Sequence, residues 1–178
     1  RGCADELAPT RALALGRGLR ATAEVDARLG DGDWQRCDYV RTTAVHECAG
    51  LVTATDGTAN LLNDAPPSWG FNTPAITASA DVPGVELRVR LTARLAGRYW
   101  AAVSPGEATL QIGDDRARTL TRDRLELLDR GPRTVELRAR VPTTWWALTF
   151  VREDGIVPER PHLAPPPELP PAYLIGVR

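Results

Sequence analysis

From Val85 to Leu95 the chain alternates without a slip. Val85, Leu87, Val89, Leu91, Ala93 and Leu95 are apolar, and Glu86, Arg88, Arg90, Thr92 and Arg94 between them are polar. Successive side chains of a strand point to opposite faces, so this stretch buries one face and wets the other only as a β-strand. A helix would scatter the same apolar residues around its circumference. The pattern recurs at Leu19, Ala21, Ala23, Val25, Ala27 and Leu29, where the period outweighs the helix propensity of the alanines. It recurs again at Val135, Leu137, Ala139 and Val141. Segments 85–90 and 135–140 are near copies and read as two strands of one sheet, with Glu and Arg facing each other across the ladder. Exposed pairs of that kind aid solubility and add little stability.

Tyr99–Ser104, Ala108–Ile112, Leu125–Leu128 and Trp145–Val151 are further β-prone runs. Turn signals separate them at Ser104-Pro105-Gly106-Glu107, Gly113-Asp114-Asp115 and Gly131-Pro132. Residues 85–151 thus read as an antiparallel meander. Leu51–Thr55 and Ala75–Ala80 add two strands, separated by a long loop from Leu62 to Pro74. The expected fold is all-β, an antiparallel, jelly-roll-like β-sandwich of about eight or nine strands. Residues 1–17 are a lead-in or linker in which Arg11–Leu15 can form a helical turn, and residues 18–153 are the sandwich. Residues 154–178 are a tail with seven prolines between Pro158 and Pro171, suited to a semi-rigid spacer or a strap.

A net charge of −1 gives no electrostatic reason to expect nucleic acid or an anionic membrane as partner. All 22 basic residues are Arg, but without a basic cluster this reads as coding bias towards GC rather than anion recognition. No apolar run reaches the roughly 18 residues of a membrane helix. With no methionine, the chain is expected to be a processed product or a piece of a larger, membrane-anchored polypeptide. Gly2-Cys3 is similar to a lipoprotein processing site, yet a processed lipoprotein begins at its cysteine, so an excised soluble domain fits better.

Cys37 and Cys48 flank a short β-prone segment at a spacing a hairpin or loop can bridge. A disulfide there points to an extracytoplasmic setting, periplasmic or cell-surface, and two free buried thiols are the alternative. His46 and Glu47 beside them do not complete the spacing of a structural zinc site. Asp31 and Asp33 supply two oxygens for calcium, but no third carboxylate follows at a known loop spacing, and an Asp-Gly turn accounts for both. No cofactor is expected, with calcium the one ion left open. The chain has two histidines, His46 and His162, and none of Ser68, Ser79 or Ser104 sits in a nucleophile elbow. No residue is assigned to catalysis. The loop aromatics Trp69 and Phe71, with Asn72, suit a sugar platform in which rings stack on pyranose faces and amides reach hydroxyls. Asp114 and Asp115 are expected to join them. The alternative is that Trp69 and Phe71 plug the end of the sandwich. Trp100 and Trp146 alternate with strand neighbours and are assigned to the core.

The pieces Val89-Arg90-Leu91-Thr92, Ala96-Gly97-Arg98-Tyr99, Leu110-Gln111-Ile112-Gly113-Asp114, 127–131 and 135–140 follow one another as they do in a known family. The chain resembles the protective-antigen-type β-sandwich domain of toxins, adhesins, glycosidases and some bacterial membrane glycosyltransferases. Gly18-Leu19-Arg20-Ala21 is similar to that family's opening strand, so the resemblance spans about 18–151. Sugar-binding members carry a calcium-binding Asp pair before the Leu-x-Ile strand. Ser104-Pro105-Gly106-Glu107 stands there instead, so calcium-dependent sugar binding is not implied. What the resemblance does imply is a non-catalytic accessory module that binds or positions a glycan. Two other readings stand beside it: a soluble periplasmic domain of a membrane-embedded glycosyltransferase, and a structural interaction domain of the cell envelope.

Overall fold

The computed structural model describes residues 7–8, 10–59 and 71–158. Sixteen strands lie within them. The first eight are β1 (Leu7–Ala8), β2 (Thr10–Gly16), β3 (Leu19–Leu29), β4 (Gln35–Arg36), β5 (Asp38–Val40), β6 (Val45–Cys48), β7 (Val52–Ala59) and β8 (Phe71–Ala80). Then come β9 (Val85–Arg94), β10 (Gly97–Ser104), β11 (Ala108–Ile112) and β12 (Arg118–Leu120). The last are β13 (Arg122–Leu127), β14 (Pro132–Val141), β15 (Trp146–Arg152) and β16 (Val157–Pro158). No described helix is long and apolar enough to cross a membrane.

Two antiparallel sheets face each other, as the alternation requires of a chain whose strands each have one apolar face. The larger has the order β1-β5-β6-β7-β8-β15-β10-β13, with β16 beside β8. The smaller has the order β12-β11-β14-β9-β3-β2, with β4 beside β3. Between them lie Val25, Leu87, Val89, Leu137, Tyr99 and Trp146, each at most 1% exposed. The rings of Tyr99 and Phe150 stack at 5.2 Å. A side chain of this size contributes roughly 1.5–3 kcal/mol on full burial.

The sandwich is therefore as expected, but the route through it is not a meander. β9, β11, β12 and β14 belong to the smaller sheet and β10, β13 and β15 to the larger, so the chain crosses the core repeatedly. Alternation reports which face of a strand is buried and is blind to which sheet the strand joins. The pairing of segments 85–90 and 135–140 is as read from the sequence: β9 and β14 are neighbours, with Glu136 opposite Arg90 and Arg140 opposite Glu86.

Three boundaries shift. The second half of the lead-in is strand β2, not a helical turn; it pairs with β3 and buries Leu15, so the sandwich begins before residue 18. Phe71 and Asn72 open strand β8 rather than ending a loop, with Pro158 and Val157 as backbone partners. That pairing also carries the sheet past residue 154 into the first proline of the tail, an edge position where a missing donor is tolerated. The expectations for residues 1–6, 60–70 and 159–178 lie outside the described residues.

Cys37 and Cys48 form a disulfide, and both are buried. It joins the strand pair β5–β6 at its base and fixes the segment Trp34–Cys37 against β3, where the Cys37 amide donates to the Val25 carbonyl at 2.9 Å.

Candidate functional site

Connections leave the sandwich at two ends. The β9–β10, β11–β12 and β13–β14 links lie at one end, where β7 ends and β8 begins, and the β8–β9, β10–β11 and β14–β15 links lie at the other. At the second end the β14–β15 link, residues 142–145, is pinned by the Ala80 amide, which donates to the Pro142 carbonyl at 2.8 Å. The first rung of β15 sets Trp146 opposite Ala78. Trp146 points inward and is 1% exposed, whereas Trp145 lies one residue outside the ladder and is 52% exposed.

Trp145 borders a shallow depression of about 400 Å³ on the outer face of the larger sheet. Thr53 and Thr55 of β7 pair with Ser79 and Thr77 of β8, so four hydroxyls stand in two alternate rungs on one face. The alternating residues Val52, Ala54, Ile76 and Ala78 fill the core behind them. Thr143 and Thr144 complete the lining, which contains no charged side chain. The Thr77 hydroxyl donates to the Thr55 carbonyl at 3.3 Å and keeps its lone pairs for a further donor. A rigid indole face next to neutral donor–acceptor hydroxyls can hold a ligand with one apolar face and a hydroxyl-bearing edge. A pyranose ring has that shape.

None of the described residues chosen from the sequence lines this depression. Trp69 is outside the described residues, and Phe71 and Asn72 open β8 at the first end. Asp114 and Asp115 are exposed in the β11–β12 turn of that same end. Strand β8 lies in the middle of the larger sheet, while the β11–β12 turn belongs to an edge of the smaller one. Trp100, assigned to the core, faces outward and covers Ala75, Ala102 and Ala147, with the Arg124 guanidinium 5.7 Å from its ring. Sequence reasoning passed over Trp145 because two adjacent tryptophans look alike until the first rung of β15 is known. The repeated Thr/Ser at alternate positions of β7 and β8 was the signal available.

Two ionic clusters are built around buried groups, His46 and Asp26. Between the sheets, the His46 ring donates from Nε2 to Asp56 Oδ1 at 3.1 Å, and Arg11 engages the other carboxylate oxygen. The Tyr39 ring lies tilted against His46, with 4.7 Å between ring centroids. Burial, and then the charge of Arg11, push the His46 pKa down to about 4, so the ring is neutral at pH 7. Each member of this cluster turns towards another member, and Ser79 faces away on the outer surface, so no nucleophile–base pair forms there. On the outer face of the smaller sheet, Asp26 is 2% exposed and receives Arg36 at 2.6 Å, Arg88 at 2.9 Å and Arg90 at 3.0 Å. Burial alone would raise the Asp26 carboxyl, but hydrogen bonds from Arg36 and Arg88 outweigh it and hold the group below the usual carboxylate range.

Among the described residues no three His, Cys, Asp or Glu side chains are grouped to hold a metal ion, and Asp31 and Asp33 remain exposed turn residues. Both cysteine sulfurs near His46 are joined to each other, which removes the thiolates a zinc site would use. No family model, curated protein or solved structure matches this chain.

Proposed function

We propose that this chain is a non-catalytic accessory module of the extracytoplasmic space that binds or positions a glycan. The observation that carries the reading is the exposed Trp145 beside the uncharged hydroxyl ladder of Thr53, Thr55, Thr77 and Ser79. Half of a large indole is left in water although a core position is one residue away, and exposed aromatics on rigid elements are common anchors for ligands. The volume of the depression is that of a small-molecule site, and its shallowness suits a sugar chain lying along a surface. The resemblance to protective-antigen-type domains supports the same role. The disulfide supports an oxidising compartment, where glycans of the cell envelope are found.

A glycan array probed with the purified chain, with and without calcium, tests the reading. Binding to a defined set of glycans that Trp145→Ala weakens by about 1–3 kcal/mol is the expected result, the scale of one lost stacking contact. Calcium is expected to make no difference, because the depression offers hydroxyls and no carboxylates. No binding to any glycan, or binding indifferent to Trp145, overturns it.

A further inference from the structure

Beyond the 142–145 link lies a second groove, of about 640 Å³, whose walls are mainly apolar. Pro83, Pro105 and Pro142 form them, and Thr143 lines both this groove and the Trp145 depression. Two charged side chains face into it, Arg140 from the end of β14 and Glu107 from the β10–β11 turn. Arg140 stands opposite Glu86 in the ladder, but Glu86 is engaged by Arg28 at 2.7 Å. Arg140 has no ion-pair or hydrogen-bond partner among the described residues. A guanidinium is a planar fork of donors matched to carboxylate and sulfate.

We propose that the two depressions are one binding site that crosses the ridge at Thr143 and takes an acidic oligosaccharide. The proposal rests on the glycan reading and specifies the substrate class of that same site. A neutral pyranose lies against Trp145 with its hydroxyls on the Thr/Ser ladder. The chain then passes over Pro142 and Thr143, and a carboxylate- or sulfate-bearing residue reaches Arg140. Proline rings offer apolar faces to the intervening sugar, and Glu107 accepts hydrogen bonds from hydroxyls while disfavouring an anion close to itself. A single sugar would fill one depression and leave Arg140 unused.

Isothermal titration with three tetrasaccharides tests this: a neutral tetragalactoside, its uronate counterpart and its sulfated counterpart, each at low and high salt. The full chain is compared with Arg140→Ala and Trp145→Ala, both at exposed positions. At least one acidic tetramer is expected to bind about 10-fold tighter than the neutral one at low salt, with the advantage shrinking at high salt. Which acidic tetramer wins identifies the anion as carboxylate or sulfate. Arg140→Ala should abolish the preference for the acidic tetramers, whereas Trp145→Ala should weaken all three. Equal binding of acidic and neutral tetramers, or a preference that survives Arg140→Ala, overturns the acidic assignment while leaving the glycan reading intact. Binding that Trp145→Ala does not affect overturns both, and so does failure of every tetramer to bind when the array is also blank.

Discussion

The outer surface of the β3–β9 pair in the smaller sheet and that of the β7–β8 pair in the larger are made by the same alternation and are chemically opposite. On the smaller sheet, Glu24, Asp26 and Arg28 of β3 face Arg90, Arg88 and Glu86 of β9. Trp34 lies over this face with the guanidinium carbons of Arg28 and Arg88 at 4.3 and 4.4 Å from its ring, and Arg36 closes on Asp26. Nearly every charge there is spent on another charge of the same face. On the larger sheet the corresponding positions are Thr53, Thr55, Thr77 and Ser79, and the aromatic beside them, Trp145, covers nothing charged. A charged face that neutralises itself makes structure. A neutral patch with an uncovered aromatic keeps its hydrogen-bonding capacity for a ligand.

The sharpest way to break this contrast is Asp26→Ala. It leaves Arg36, Arg88 and Arg90 facing one another without their shared carboxylate, and removing one partner of a buried pair typically costs about 3–5 kcal/mol. Because the arginines are 19–36% exposed, the lower end is expected. Chemical denaturation measures it, and a loss below about 1 kcal/mol would mean that the covered face is ornamental.

Acid separates the interior from that face. His46 has a folded pKa of about 4 against an ordinary 6.5, so the unfolded chain binds its proton more readily. Its contribution is full above pH 6.5 and is lost as pH falls to about 4, amounting to about 3 kcal/mol. The Asp26 carboxyl is also depressed, so its contribution persists through that window and is lost only below its ordinary value of 3.8. His46→Gln should flatten the stability profile between pH 6.5 and 4 while Asp26→Asn flattens only the limb below. An unchanged profile in His46→Gln would show that the ring is not buried neutral.

Cys37→Ser with Cys48→Ser removes the bond that holds Trp34–Arg36 over Asp26. A loop this short is expected to lose about 2–3 kcal/mol on the chain-entropy account. The unreduced protein should weigh two hydrogens less than the reduced one by intact mass. Two alkylatable thiols at these positions in the oxidised protein would contradict the pairing.

How much of this could be read from the chain follows from the range of each signal. Alternation is local, and it placed β3, β9 and β14 and the inward set Val25, Val89 and Leu137. The burial of Asp26 was not legible, because it depends on β4 folding back so that Arg36 comes opposite Asp26, a contact between separate segments. For the same reason Arg88 and Arg90 read from the sequence as solubilising, whereas both hold Asp26. β2 was masked by its alanines, although Arg11, Leu13 and Leu15 already carried the inward parity. The exposure of Trp145 turns on a single rung of register, which no composition or period reports.

On the larger sheet the expected effects on stability are small. Thr55→Val and Ser79→Ala should change unfolding free energy by less than about 0.5 kcal/mol, as surface substitutions usually do, and should weaken glycan binding. A stability loss above about 1 kcal/mol, with binding intact, would move this face to the structural side of the comparison.

The most direct test of that comparison is Trp145→Ala, with affinity and melting temperature measured on the same sample and Trp69→Ala alongside. The glycan selected by the array should bind Trp145→Ala about 5- to 150-fold more weakly, which is about 1–3 kcal/mol, and the melting temperature should hold. Affinity preserved in Trp145→Ala but lost in Trp69→Ala would move the site to the β7–β8 connection. A collapse of melting temperature in Trp145→Ala would make that indole part of the structure and contradict the account.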